Sequence, residues 1–113
     1  MDVRNISEIP WQEDLCGRFK TIYETDSMTV SYFIIEGAAK SHKHEIMEEV
    51  YIIEKGRGTI HIGEEVRVVG PPDVISIPKG SFHHLEADEK LGPLELWVIT
   101  HPKYDPSDVI EQQ

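Results

Sequence analysis

The chain has one cysteine, few basic residues, no long apolar run and no clean helical periodicity, and each shortage excludes something. Cys16 is the only thiol in 113 residues, so no intrachain disulfide can form and the fold does not depend on an oxidising compartment. Lys and Arg number 11 against 21 Asp and Glu, a formal net charge of −10 with neutral histidines. Nucleic acid and anionic membranes both call for a cationic surface, so neither is an expected partner. No apolar stretch approaches the roughly 20 residues that cross a bilayer as a helix. Residues 1–5 carry no cationic segment leading into an apolar one, so the expected location is cytoplasmic, without a secretory signal. No window of a dozen residues holds apolar side chains at a spacing of 3.6, so little helix is expected.

What the sequence does have is dense punctuation by glycine and proline. Between the breaks lie runs rich in β-branched and aromatic residues: 19–23, 28–35, 49–55, 58–62, 65–69, 74–77, 82–86 and 94–100. Each is about strand length, and their spacing fits an all-β sandwich or barrel. Gly63-Glu64 and Gly56-Arg57-Gly58 have the chemistry of tight hairpin turns. Residues 106–110 suit one last helical turn, residues 1–17 read as a partly irregular lead-in, and the tail 111–113 is expected to fray. The N-terminal and C-terminal runs are candidate edge strands. The length points to a single domain over residues 1–113.

The chemistry concentrates in His42-Lys43-His44-Glu45-Ile46-Met47-Glu48-Glu49. Two histidines two residues apart point to one side of an extended chain, so their imidazoles can meet a single ion. A carboxylate opening the next strand could reach the same point. Alternation lets only one of Glu48 and Glu49 face inward. Much later, Pro78-Lys79-Gly80-Ser81-Phe82-His83 turns the chain and starts a new strand on a further imidazole. Three neutral imidazoles and a carboxylate make a strong site for a divalent first-row ion. Tyr51 shares the parity of Glu49 and is a candidate for the pocket wall. So are Phe33, Trp97 and, if it faces inward with Thr59, His61. Tyr32, Met47 and Phe82 are weaker candidates of the same kind. Ordinary core packing is the plainer explanation for the aromatic and apolar candidates, and His61 reads equally well as a satisfied polar residue. His84 must point away from His83, and Cys16 reads as a partly buried structural thiol.

The spacing resembles the paired motifs of the cupin superfamily, in particular its small single-domain members, over residues 37–100. Gly37 precedes His42-x-His44, Glu49 follows after four residues, and Gly56 after six more. Pro78-x-Gly80 and His83 match the second motif, although Pro72 stands where a glycine opens it and Ala87 where an asparagine often follows. The resemblance implies a double-stranded β-helix, or jelly-roll barrel. It also implies one divalent ion per chain (Fe, Mn, Ni, Co, Cu or Zn) on His42, His44, Glu49 and His83, with Glu49 preferred over Glu48. It further implies a homodimer and the chemistry of a mononuclear metalloenzyme. On this reading the chain is dioxygenase- or isomerase-like and acts on a small oxygen-rich molecule. The alternative is a noncatalytic barrel that binds or senses a small molecule through its metal.

Overall fold

Alternation of side chains builds the fold, and the computed structural model describes it for all residues 1–113. Eleven strands form: β1 (Gln12–Asp14), β2 (Gly17–Glu24), β3 (Thr29–Ile35), β4 (His42–Lys43), β5 (Glu48–Lys55), β6 (Gly58–Ile62), β7 (Glu65–Val69), β8 (Val74–Ile77), β9 (His83–Ala87), β10 (Leu94–His101) and β11 (Ile110–Glu111). One antiparallel sheet runs β1-β2-β3-β10-β5-β8 and the other β11-β4-β9-β6-β7. The only helical segments are three single 3-10 turns, at Ile6–Glu8, Glu89–Leu91 and Pro106–Asp108. No helix is long and apolar enough to cross a membrane.

The two sheets face each other across the core. Along β10, Leu94, Leu96, Val98 and Thr100 are buried, while Glu95, Trp97 and Ile99 lie on the other face. Ile35 of β3, Tyr51 and Ile53 of β5, Ile60 of β6, Ile77 of β8 and Leu85 of β9 complete most of the contact. Burying such a side chain is worth roughly 1.5–3 kcal/mol, so a one-residue slip of any central strand would forfeit several of these terms together.

This parity corrects two expectations. Ile60 faces inward opposite Leu85, so its neighbours Thr59 and His61 face outward rather than into the barrel. Trp97 likewise lies on the outer face, edge-on to Tyr32 with ring centroids 5.0 Å apart, because Leu96 and Val98 occupy the inner one. The tail is also more ordered than expected. Residues 110 and 111 pair with β4, and the Gln112 N–H donates to the Ser41 carbonyl at 3.0 Å. The expected edges do occur: β1 and β11 are the outer strands of their sheets.

Two glycines test how tightly the β6 end is packed. Gly63 turns the β6–β7 hairpin at φ +57°, with open space where a Cβ would go. A Cβ on Gly58 would run into the Glu86 carbonyl oxygen and the Leu94 side chain. Gly58→Ala is therefore expected to cost about 2–3 kcal/mol through overpacking. Gly63→Ala is expected to cost only about 1 kcal/mol, from the backbone conformation alone. Urea denaturation of the two variants would reveal the difference, and equal costs would contradict the packing at Gly58.

Candidate metal centre

Three segments bring the chemistry together. β4 places His42 directly opposite His83 at the start of β9. His44 follows two residues after His42, and its carbonyl accepts from the Gly80 N–H at 2.7 Å, tying the turn before His83 to the first histidine segment. Glu49 opens the inner face of β5, with only 7% of its surface exposed. Glu48 points out to solvent, 3.8 Å from the exposed Lys79 ammonium. His42, His44 and His83 are 4%, 4% and 1% exposed, and one donor atom from each of the four residues lies within 4.8 Å of the others.

Each imidazole is oriented from behind by a carbonyl. Nδ1 of His42 bonds the Lys40 carbonyl at 2.9 Å, that of His44 the Asp108 carbonyl at 2.8 Å, and that of His83 the Ser81 carbonyl at 3.0 Å. A carbonyl can only accept, so all three Nδ1 atoms carry the proton and the neutral rings aim Nε2 lone pairs inward. Glu49 Oε1 lies 2.8 Å from His44 Nε2 and 3.2 Å from His83 Nε2. These three atoms are buried and have no hydrogen-bond partner. Lone pairs facing one another at that range, away from water, require positive charge between them. The donor set therefore fits a divalent ion, which binds neutral imidazole and carboxylate at about 2.0–2.2 Å.

The electrostatics point the same way. Burial pushes the Glu49 carboxyl up, but His44 and His83 outweigh it and bring it down to about 2. Burial pushes His44 down, yet the Glu49 carboxylate reverses this and holds it above its ordinary value. For His42 burial outweighs the Lys40 carbonyl and the weaker pull of Glu49, and holds the imidazole below its ordinary value. A proton or a metal ion can thus satisfy the centre, and the two compete for the same atoms.

The centre opens on a cavity of about 70 Å³ between the sheets. Tyr51 and Phe33 line it, as the sequence pattern suggested, whereas Trp97 and His61 lie outside. Tyr32, Met47 and Phe82 do not line it either. Several lining residues escaped the sequence reading because they come from segments without a motif. Asp14 and Cys16 arrive from the lead-in, Glu24 from the end of β2, and Tyr104 from the turn after β10. Burial raises the Asp14 carboxyl and, much further, the Cys16 thiol, so the latter stays protonated.

Asp108 was also missed. Its carboxylate accepts from the backbone N–H groups of Glu45, at 2.9 Å, Ile46, at 3.1 and 3.2 Å, and Met47, at 2.9 Å. The loop between His44 and Glu49 is thereby nailed to the C-terminal turn, whose carbonyl also orients His44. Pro106 at the start of that turn and the Asp105 cap are local features of the turn itself, but nothing local shows that Asp108 reaches back some sixty residues.

Residues 31–100 match the model of the Cupin domain family. The chain belongs to this family. The uncharacterized protein MJ1618 of Methanocaldococcus jannaschii is 30% identical over 89 residues, spanning 77% of this chain and 70% of that protein. In fold, the chain is similar to the nucleoside dehydratase Pac13 of Streptomyces, with a TM-score of 0.86 at 15% identity, covering 100% of this chain and 92% of that one. A solved protein from Planctomyces limnophilus superposes with a TM-score of 0.82 at 25% identity, covering 97% and 96% of the two chains. The all-β fold of two antiparallel sheets is thus a cupin fold.

The Asp108 anchor yields a test. Burial would raise this carboxyl, but the three N–H donors outweigh it and hold it below its ordinary value. Its contribution to stability is then complete above the ordinary carboxylate range and is lost as pH falls through the lowered value. Asp108→Ala, which orphans those donors, is expected to cost about 2–4 kcal/mol at neutral pH. Asp108→Asn is expected to show a shallower loss of stability on acidification. Denaturant titrations at several pH values measure both, and a neutral-pH cost within experimental error of zero would contradict the anchor.

Proposed function

We propose that this cupin is a mononuclear metalloenzyme, dioxygenase- or isomerase-like, acting on a small, uncharged, oxygen-rich molecule. The observation that carries the reading is the set of buried, unpartnered lone-pair atoms on His44, Glu49 and His83. They are completed by His42 and open onto a cavity. Held by these four residues, a divalent ion would supply Lewis acidity towards a substrate oxygen and, if redox-active, a place for dioxygen.

The remaining lining supports the substrate class. Asp14, Glu24 and Glu49 face the cavity, and no Lys or Arg does. A phosphate or a polycarboxylate would meet repulsion there that a neutral hydroxyl or carbonyl compound would not. Phe33, Leu96 and Val98 offer apolar contact beside these polar groups. Asp14 is the acid–base group of this reading. Its Oδ1 accepts from the N–H groups of Cys16, at 2.8 Å, and Gly17, at 3.2 Å, which leaves Oδ2 to hold or release a proton. Partial desolvation at the cavity raises its carboxyl, although Asp14 as a whole remains exposed to solvent.

The first test is the metal content of protein purified without added metal, alongside His83→Ala. One equivalent fewer in a folded His83→Ala variant than in the parent supports the centre. The same metal content in the variant as in the parent, or no uptake by the parent at neutral pH, overturns it. Because protons compete for the same imidazoles, the ion is expected to leave as pH falls below roughly 6. With the metal-loaded protein, ligands that raise the melting temperature but are never transformed would favour the noncatalytic barrel.

The homodimer belongs to the same reading. Val66 and Val68 of β7 and Val74 of β8 are 61–65% exposed, on the two strands that end the sheets opposite β1 and β11. A second copy covering such edges would remove both apolar surface and unpaired backbone groups from water. Light scattering at micromolar concentration is expected to report twice the chain mass, and a monomer would overturn the dimer.

A further inference from the structure

Outside the barrel, a second group of donors converges on the opposite face of the strand that carries His83. His61 of β6 and His84 of β9 are direct cross-strand partners. Their rings stack with centroids 4.2 Å apart and planes 10° from parallel. Glu86, two residues beyond His84 on the same face, completes the group. Its Oε1 lies 3.2 Å from His84 Nε2 and 3.6 Å from His61 Nε2. One donor atom from each of the three residues falls within 4.8 Å of the others.

We propose that His61, His84 and Glu86 form a second divalent-metal site, open to solvent and independent of the buried centre. Donors on a tetrahedral ion with bonds of about 2.1 Å lie about 3.4 Å apart, which the two carboxylate–imidazole spacings bracket. The three side chains stand on two adjacent ladder strands. The Glu86 backbone is further pinned by pairing with Thr59 on one side and Ala38 on the other. The group therefore needs little ordering to bind. Glu86 makes no ion pair with Lys or Arg, so its carboxylate is not already committed to a cation. Bringing the second imidazole onto the ion asks for a tilt of one ring, which the His61 side chain, 29% exposed, has room to make. Two imidazoles and one carboxylate select zinc, copper or nickel over calcium or magnesium, and the remaining coordination position faces water.

Although His83 and His84 are neighbours in sequence, alternation puts them on opposite faces of the sheet, so the two sites share no ligand. Zn²⁺ alone is the probe, titrated at neutral pH in competition with a chromophoric chelator. The proteins are the parent, His61→Ala, Glu86→Gln and, for the buried centre, His44→Ala. Circular dichroism and melting temperature confirm that each variant is folded. The expected result is one equivalent fewer in His61→Ala than in the parent, with Glu86→Gln binding that equivalent at least about tenfold more weakly. Equal stoichiometry and affinity in the parent and both outer-face variants overturns the proposal. His44→Ala reports separately on the buried centre: an equivalent lost there and kept in His61→Ala belongs inside the barrel. Failure of either site is therefore distinguishable from failure of the other.

Discussion

Burying four lone-pair donors against one another is the constraint on which the rest of this structure depends. Removing imidazole nitrogens and a carboxylate from water without a partner is among the costliest things a fold can do. The chain tolerates it by fixing everything behind the donors. Three carbonyls hold the Nδ1–H groups of His42, His44 and His83, so every ring presents the same nitrogen to the interior. The carbonyls come from three unconnected places: the residue before Ser41, the turn before β9, and the C-terminal turn. Local geometry at His42 and His83 is thus set by near neighbours, two residues away, whereas His44 depends on a segment far along the chain.

That difference explains what was legible in the sequence and what was not. Period-two alternation and glycine–proline punctuation located eight strands, from β2 through β10 with β4 excepted, because each is long enough to show its pattern. β1, β4 and β11 are two or three residues long and carry no pattern of their own. The four clustered residues were legible because a His-x-His pair, a carboxylate and a Pro-x-Gly-x-x-His turn each leave a local mark. Asp108, Asp14 and Tyr104 leave none, since each acts only after distant segments have met. The facing of His61 and Trp97 was open in the sequence for a related reason. A run such as Thr59-Ile60-His61-Ile62 alternates perfectly either way, and only the packing of Ile60 against Leu85 decides which set turns inward.

The same distinction separates fold from chemistry among the relatives. At 15% identity, the likeness to Pac13 describes the path of the backbone and leaves the lining free to differ. In this chain the strands supply most of the lining, but Asp14, Cys16, Glu24 and Tyr104 come from the least patterned segments: the lead-in, the end of β2 and the turn after β10. Those are the positions where one cupin can depart from another without disturbing a strand or a metal ligand. The acidic, lysine-free wall that Asp14 and Glu24 help to build is accordingly a property of this sequence, and the substrate preference proposed for it rests on these residues rather than on shared architecture.

β9 shows how far alternation alone can divide chemistry. His83, Leu85 and Ala87 turn inward, where His83 is almost completely buried and its free nitrogen lacks a hydrogen-bond partner. His84 and Glu86 turn outward, where water already satisfies them in part and where Glu86 can approach two imidazoles without any desolvation comparable to that of Glu49. An ion on the inner set would be held by four donors within a low-polarity interior. One on the outer set would have fewer protein donors and open contact with solvent. Affinity at the inner set should therefore be greater and exchange slower, even though both sets use the same residue types on the same strand. The difference follows from which face of the sheet each side chain occupies, and that is decided by the hydrophobic residues between them.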